Sequence, residues 1–212
     1  MGTIVIDEQF DKIRHRLKEN IGKKRYIHSL GVSDTAACLA MRYDADVRKA
    51  ALAGLVHDCA KGLDETELFE TVNKAGIQIS KTEEENSELL HSKAGSVIAK
   101  VEYGITDEEI LSAIFWHTTG KPCMTLLEKM IFIADYIEPN RCNIPNLSVI
   151  RKMAFLDIDA ATAYACENSL NFLKKSAKSI DKNTVDTYEY YKEYLDRFKE
   201  REQEIDINGN IR

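Results

Sequence analysis

The run Ala50-Ala51-Leu52-Ala53-Gly54-Leu55-Val56-His57-Asp58-Cys59-Ala60-Lys61-Gly62 decides how this chain is read. Alanine and leucine favour helix, and Gly62 is a suitable stop. The apolar stretch closes on His57-Asp58. Adjacent side chains on a helix point about 100° apart, so both reach one ion only near a helix end or inside a crowded bundle. An imidazole nitrogen beside a carboxylate oxygen suits a borderline divalent metal such as iron, manganese or zinc. One His-Asp pair is weak evidence by itself. Its meaning depends on what the rest of the chain places around it.

Outward from that run the pattern is helical in both directions. Residues 7 to 21 read as a helix with Asp7 as N-cap and Phe10, Ile13, Leu17 and Ile21 on one stripe. His15 lies off the stripe between two arginines and reads as solvated surface. A second helix, 24 to 43, carries Arg25 and His28 above a small apolar face of Val32, Ala36, Ala37 and Ala40. The third, 46 to 60, is the opening run itself. A short helix with Asp64 as cap precedes the turn at Gly76. Thr82-x-x-Glu85 reads as a capping pattern for a helix that delivers His91. Helices follow at 92 to 103 and, with Thr106 as cap, from 106 to Trp116-His117. The apolar helix 124 to 137 contains Asp135 and ends at Pro139, and Arg141 falls in a loop that includes Pro145. Helices at 157 to 178 and 185 to 204 complete an all-α reading of one domain, residues 1 to 204, with 205 to 212 as a frayed tail.

Composition narrows the class. The chain has 212 residues, 44% hydrophobic and 30% charged, with a net charge of -6. That is globular, and it argues against a broad nucleic-acid or anionic-membrane surface. A small anionic ligand remains compatible, because a metal ion reverses the local charge. The five cysteines (38, 59, 123, 142 and 166) are an odd number without Cys-x-x-Cys spacing, which points to reduced thiols and a cytoplasmic setting. Met1 to Asp7 lacks a signal-peptide pattern, and no membrane span is expected. There is no Gly-x-x-x-x-Gly-Lys loop and no Ser or Cys nucleophile motif; Cys59 reads as a small core residue.

Four of the five histidines share a placement. His28 sits inside a helix among small neighbours, and His57, His91 and His117 each fall at a helix end or break. Asp58 and Asp135 are the carboxylates placed alike. Asp135 interrupts an apolar run, where an unpaired charge is costly, so a metal or a cationic side chain must balance it. Taken singly, each has an ordinary explanation. His28 and His117 fit hydrogen-bonded core residues, Asp135 fits a pair with Arg141 or a lysine, and His91 fits an N-cap or surface position. Those explanations weaken when all six must hold at once.

In order the residues read His28, His57-Asp58, His91, His117, Asp135. This resembles the HD-domain metal-dependent phosphohydrolases, in the form with two extra histidines. The words Arg25-Tyr26-x-His28-Ser29-Leu30-Gly31-Val32, His57-Asp58-Cys59-Ala60-Lys61, Trp116-His117-Thr118-Thr119-Gly120 and Ala134-Asp135-Tyr136-Ile137-Glu138-Pro139-Asn140-Arg141 narrow the resemblance to the YqeK-type branch, the symmetrical diadenosine tetraphosphate hydrolases. It covers about residues 8 to 200 and is poorest in the final helices.

The resemblance implies an all-α HD-domain bundle hydrolysing diadenosine tetraphosphate (Ap4A) to two ADP. His28, His57, Asp58 and Asp135 would bind one metal, iron first, with manganese or another divalent ion as alternatives. His91 and His117 would hold a second divalent metal or contact phosphate. Arg25, Lys61, Thr118 and Arg141 would line the phosphate side, joined in binding substrate by Asp58, His91, His117 and Asp135. Asp58, Lys61, His91 and His117 would act in the chemistry. The alternatives are another HD phosphohydrolase, acting on dNTPs, nucleotides or alarmones, and a non-catalytic nucleotide sensor. The Tyr-rich last helix (Tyr188, Tyr190, Tyr191, Tyr194) reads as packing against the bundle, with a homodimer surface as the alternative. Thr184 to Tyr188 is a candidate to close over a nucleotide.

Overall fold

The computed structural model describes residues 8–176 and 179–207. Among them there are helices and turns but no strand. The order is α1 (Glu8–Asn20), α2 (Gly22–Arg42), α3 (Val47–Val56), α4 (Glu65–Lys74), α5 (Lys81–Glu85), a 3₁₀ turn (Ser87–Leu89), α6 (Leu90–Val101), α7 (Glu108–Trp116), α8 (Leu126–Ile137), α9 (Leu147–Ala154), α10 (Ile158–Lys175) and α11 (Lys182–Ile207). No described helix is long and apolar enough to cross a membrane.

Helix α8 is the post of the bundle. It packs on α2, α3, α7, α9 and α10, and Met130, Ile131, Ile133 and Ala134 are fully buried. That burial places Asp135, on the same helix, next to the interior. α2 and α3 approach closely because Gly54 faces Ser33: a Cβ there would stand 3.0 Å from the Ser33 backbone. This contact sets α3 against α2 and brings the end of α3 to His28.

Several local readings shift. The cap of α5 is Ser80, in a reciprocal box with Glu83, and not Thr82. The helix then breaks at Asn86, so His91 lies inside α6, 5% exposed, and is neither a cap nor a surface residue. Asp107, not Thr106, caps α7. α3 ends at Val56, which leaves His57-Asp58 in the turn just beyond it.

The loop after Pro139 contains a helix, α9, that the sequence did not announce. It starts from Asn146 in a left-handed conformation (φ 57°) without a side-chain cap, so the usual start signal is missing. The Asp7 cap lies outside the described residues. α11 runs to Ile207, three residues into the stretch expected to fray, and 208–212 lie outside the described residues.

Tyr191 is 2% exposed and accepts a hydrogen bond from the Met124 amide at 2.7 Å. Leu195 is buried beside it, so packing is what this face of α11 does. Tyr190 remains 45% exposed. Cys59 is a core residue as read, donating its thiol to the Gly95 carbonyl. Burial pushes that thiol well above its usual pKa. His15 is exposed, 3.8 Å from Glu19.

Candidate metal centre

All four interior histidines are oriented in the same way. His57 Nδ1 lies 2.7 Å from the Gly54 carbonyl and His117 Nδ1 lies 2.7 Å from the Ile114 carbonyl. His91 Nδ1 meets the Glu88 carbonyl. Each acceptor is three residues back, at or next to a helix end, where a carbonyl has a free lone pair for the ring. His28 Nδ1 faces Glu138 Oε1 at 3.1 Å. A carbonyl or carboxylate only accepts, so Nδ1 carries the proton in each ring. Every Nε2 is thereby turned inward.

The inward nitrogens converge on Asp58, which is 2% exposed. Its two oxygens divide them. Oδ2 lies 3.4 Å from His57 Nε2 and 3.8 Å from His28 Nε2. Oδ1 lies 3.4 Å from His91 Nε2 and 3.5 Å from His117 Nε2. Asp135 Oδ1 joins the first group, 2.9 Å from His28 Nε2 and 3.8 Å from His57 Nε2. Thus all six residues singled out in the sequence meet in one place.

This donor set fits a divalent cation. His28 Nε2 and His57 Nε2 are buried and neither has a hydrogen-bond partner. In the neutral rings their lone pairs face carboxylate oxygens, an acceptor-to-acceptor contact that a bound cation or a second ring proton resolves. The second group repeats the problem: His91 Nε2 and His117 Nε2 stand 3.1 Å apart. The Thr118 hydroxyl lies 3.1 and 3.2 Å from them but has one proton to give. Three triads, His28-His57-Asp58, His57-His117-Asp135 and Asp58-His91-His117, bring ligand atoms within 4.8 Å of one another.

The electrostatics agree. Burial opposes the charge of Asp58, yet His57, His117 and His91 hold its carboxyl well below the usual range. Burial likewise opposes the charge of Asp135, whose side chain keeps 24% exposure, and His28, His57 and Arg141 more than offset it. Burial disfavours a charged His57, but Asp58 and Asp135 raise its pKa above the ordinary imidazole value. His91 is pushed down to about 3, by burial first and then by His117 and Lys61, so it stays a neutral ligand.

Cations ring the acids. Arg25 Nη1 donates to Asp58 Oδ2 at 2.7 Å. Arg141 donates to the Asp135 carbonyl through Nε at 2.8 Å and to its carboxylate through Nη2 at 2.5 Å. The Asp135–Arg141 pair considered from the sequence therefore forms alongside the histidine cluster. Lys61, Thr118, Arg25 and Arg141 border the cavity of about 340 Å³ that opens onto Asp58, His91, His117 and Asp135.

Two residues of the site carried no role in the sequence reading. Glu138 is 2% exposed, orients His28 and accepts from the Asn140 amide (2.7 Å) and side chain (2.9 Å). Gly31 makes room for it: a Cβ there would sit 2.4 Å from Glu138 Oε2. The signal was present, an acid one helical turn after Asp135. Arg151, on α9, donates to the carbonyls of Ile137 (2.9 Å), Glu138 (2.8 Å) and Arg141 (3.3 Å). It fastens the turn that carries Asp135, Glu138 and Arg141, and no sequence signal pointed to it.

An HD-domain model matches residues 25–140, the span that contains His28, His57, Asp58, His91, His117 and Asp135. The chain belongs to the HD-domain family, within which it groups with the symmetrical bis(5'-nucleosyl)-tetraphosphatases. The Bacillus subtilis protein of that name is 38% identical over 82% of this chain and 92% of its own length. The Halalkalibacterium halodurans protein of the same name is 41% identical over 81% of this chain and 91% of its own length. A Clostridium acetobutylicum crystal structure, described as a "predicted HD superfamily hydrolase involved in NAD metabolism", is 43% identical. It superposes with a TM-score of 0.84, covering 87% of this chain and 97% of that one.

Proposed function

We propose that this protein hydrolyses Ap4A symmetrically, adding one water across a central phosphoanhydride to give two ADP. One observation carries the reading: Asp58 is shared, one oxygen to each histidine pair, inside a cavity bordered by Lys61, Arg25 and Arg141. His28, His57, Asp58 and Asp135 would hold one divalent ion. Iron is the first choice the family resemblance implies, with manganese or another divalent ion as alternatives, and a mixed imidazole and carboxylate set suits such borderline ions. Asp58, His91 and His117 would hold a second. Bound there, such an ion lowers the pKa of a water toward neutrality and polarises a phosphoryl oxygen.

The protein's own groups do the rest. Asp58, ionised and fixed between the histidines, orients the attacking water. Lys61, Arg25 and Arg141 meet the charge that builds on the nonbridging phosphoryl oxygens, with Arg presenting a planar fork suited to phosphate. The Thr118 hydroxyl, beside His91 and His117, supplies a hydrogen bond to the same anion. Cleavage at the middle bridge expels ADP, a good leaving group. The names of the tetraphosphatase relatives support this choice of substrate over dNTPs or alarmones. The five cysteines, none in a disulfide, support a reducing, cytoplasmic setting.

The test is product analysis. Purified protein supplied with Fe(II) or Mn(II) is expected to convert Ap4A to ADP alone, read by chromatography. AMP with ATP as products would reject the symmetrical cut. No turnover with any divalent metal would reject the reading altogether.

A further inference from the structure

The metal cavity does not end at its own walls. Through Thr118, Tyr136, Arg141 and Ser169 it shares walls with a cavity of about 720 Å³ whose lining also includes Ile144, Pro145, Asn168, Phe172 and Thr184. Arg25 and Arg141 also border a second cavity of about 740 Å³, lined by Lys23, Lys24, Ile27 and Glu138. Arg141 borders all three spaces, and Arg25 the metal cavity and the second. Buried His28, whose Nε2 has no hydrogen-bond partner, also borders the second cavity. Each flanking space falls within the roughly 300–1,000 Å³ typical of small-molecule sites.

The two arms differ in chemistry. The first offers aromatic and aliphatic surface for a base, with asparagine side chains able to bond its edge. The second offers three consecutive cations, Lys23, Lys24 and Arg25, in the first turn of α2. That helix start has no acidic residue and no side-chain cap, so the cations oppose its dipole at a local cost. An anion lying in the cavity would offset that cost.

We infer that the basic cavity receives one half of the dinucleotide, held by its phosphates, while the other cavity reads the base of the second half. This rests on the proposed Ap4A activity and adds an asymmetry to it. The substrate is threaded past the metal centre with unequal arms, one selective for the nucleoside and one for charge.

The test is the K23E/K24E variant, both residues being exposed and neither among the metal donors. KM for Ap4A is expected to rise about tenfold with kcat within about twofold of wild type, while inhibition by the product ADP is unchanged. An unmoved KM overturns the inference, and so does an equal loss of ADP inhibition. A wild-type measurement guards against misfolding of the variant. The KM for Ap4A should climb with added salt more steeply than the inhibition constant for ADP, and equal slopes would overturn the inference. If wild-type protein releases no ADP from Ap4A, the functional reading itself fails and the inference falls with it. Activity with an unmoved variant rejects the inference alone.

Discussion

The two oxygens of Asp58 face unequal halves of the site. Oδ2 looks toward His28 and His57, where Asp135 contributes a second carboxylate and Glu138 backs one imidazole. Oδ1 looks toward His91 and His117, two imidazoles whose Nε2 atoms also meet the hydroxyl of Thr118. Cation affinity rises with the number of anionic ligands and with their orientation by outer partners. On the proposed two-ion reading, the first half would be the tighter ion site and the second the weaker, exchangeable one. A single buried carboxylate links them, so its loss harms both while other losses harm one.

The largest effect should follow from Asp58→Asn, which keeps the shape and removes the shared charge. We expect kcat to fall by about a thousand-fold or more, with metal content falling too; a variant that keeps both would break the proposed sharing.

His91→Ala removes a ligand of the Oδ1 half only. It should cost on the order of 100-fold in kcat while the tighter metal survives dialysis, and equal loss of all metal would erase the distinction between halves.

Glu138→Gln loosens His28 without touching the metal. A drop of about 10–100-fold in metal affinity is expected, with activity restored by excess metal; failure of excess metal to rescue would place Glu138 in a different role.

The smallest effect is on pH. His57 must surrender its proton to bind an ion, and its pKa is raised, so affinity for the ion strengthens as pH climbs through and above the ordinary imidazole range. Without the ion, that protonation stabilises the fold below the unfolded imidazole value, and the contribution is lost as pH rises through the raised one. Asp58 and Asp135, held low, stay ionised throughout. Metal loss confined to strongly acidic pH would shift control to the carboxylates.

The same asymmetry separates what the sequence disclosed from what it hid. His28, Asp58 and Asp135 were legible because polar atoms in apolar helices demand compensation, and a demand shared by several residues implies a common partner. His57 and His117 were legible at helix ends, where a carbonyl three residues back fixes Nδ1, and His91 from the break before its helix. Glu138 was hidden by its neighbours: next to Pro139 it looks like an ordinary helix terminus, and only the fold puts Gly31 and His28 against it. α9 was hidden because its start relies on Asn146 in a left-handed conformation and on Arg151 bonding across to α8, which are tertiary facts. The cap of α5 was misplaced by two residues because Ser80-x-x-Glu83 and Thr82-x-x-Glu85 are equally good patterns locally.

The most direct test of the shared-carboxylate centre is anomalous diffraction from crystals of the protein loaded with Fe(II) or Mn(II). The account predicts a strong peak bounded by His28, His57, Asp58 and Asp135, with a second, weaker peak between Asp58, His91 and His117 at high metal concentration. A protein active on Ap4A with no peak among the first four residues would contradict it.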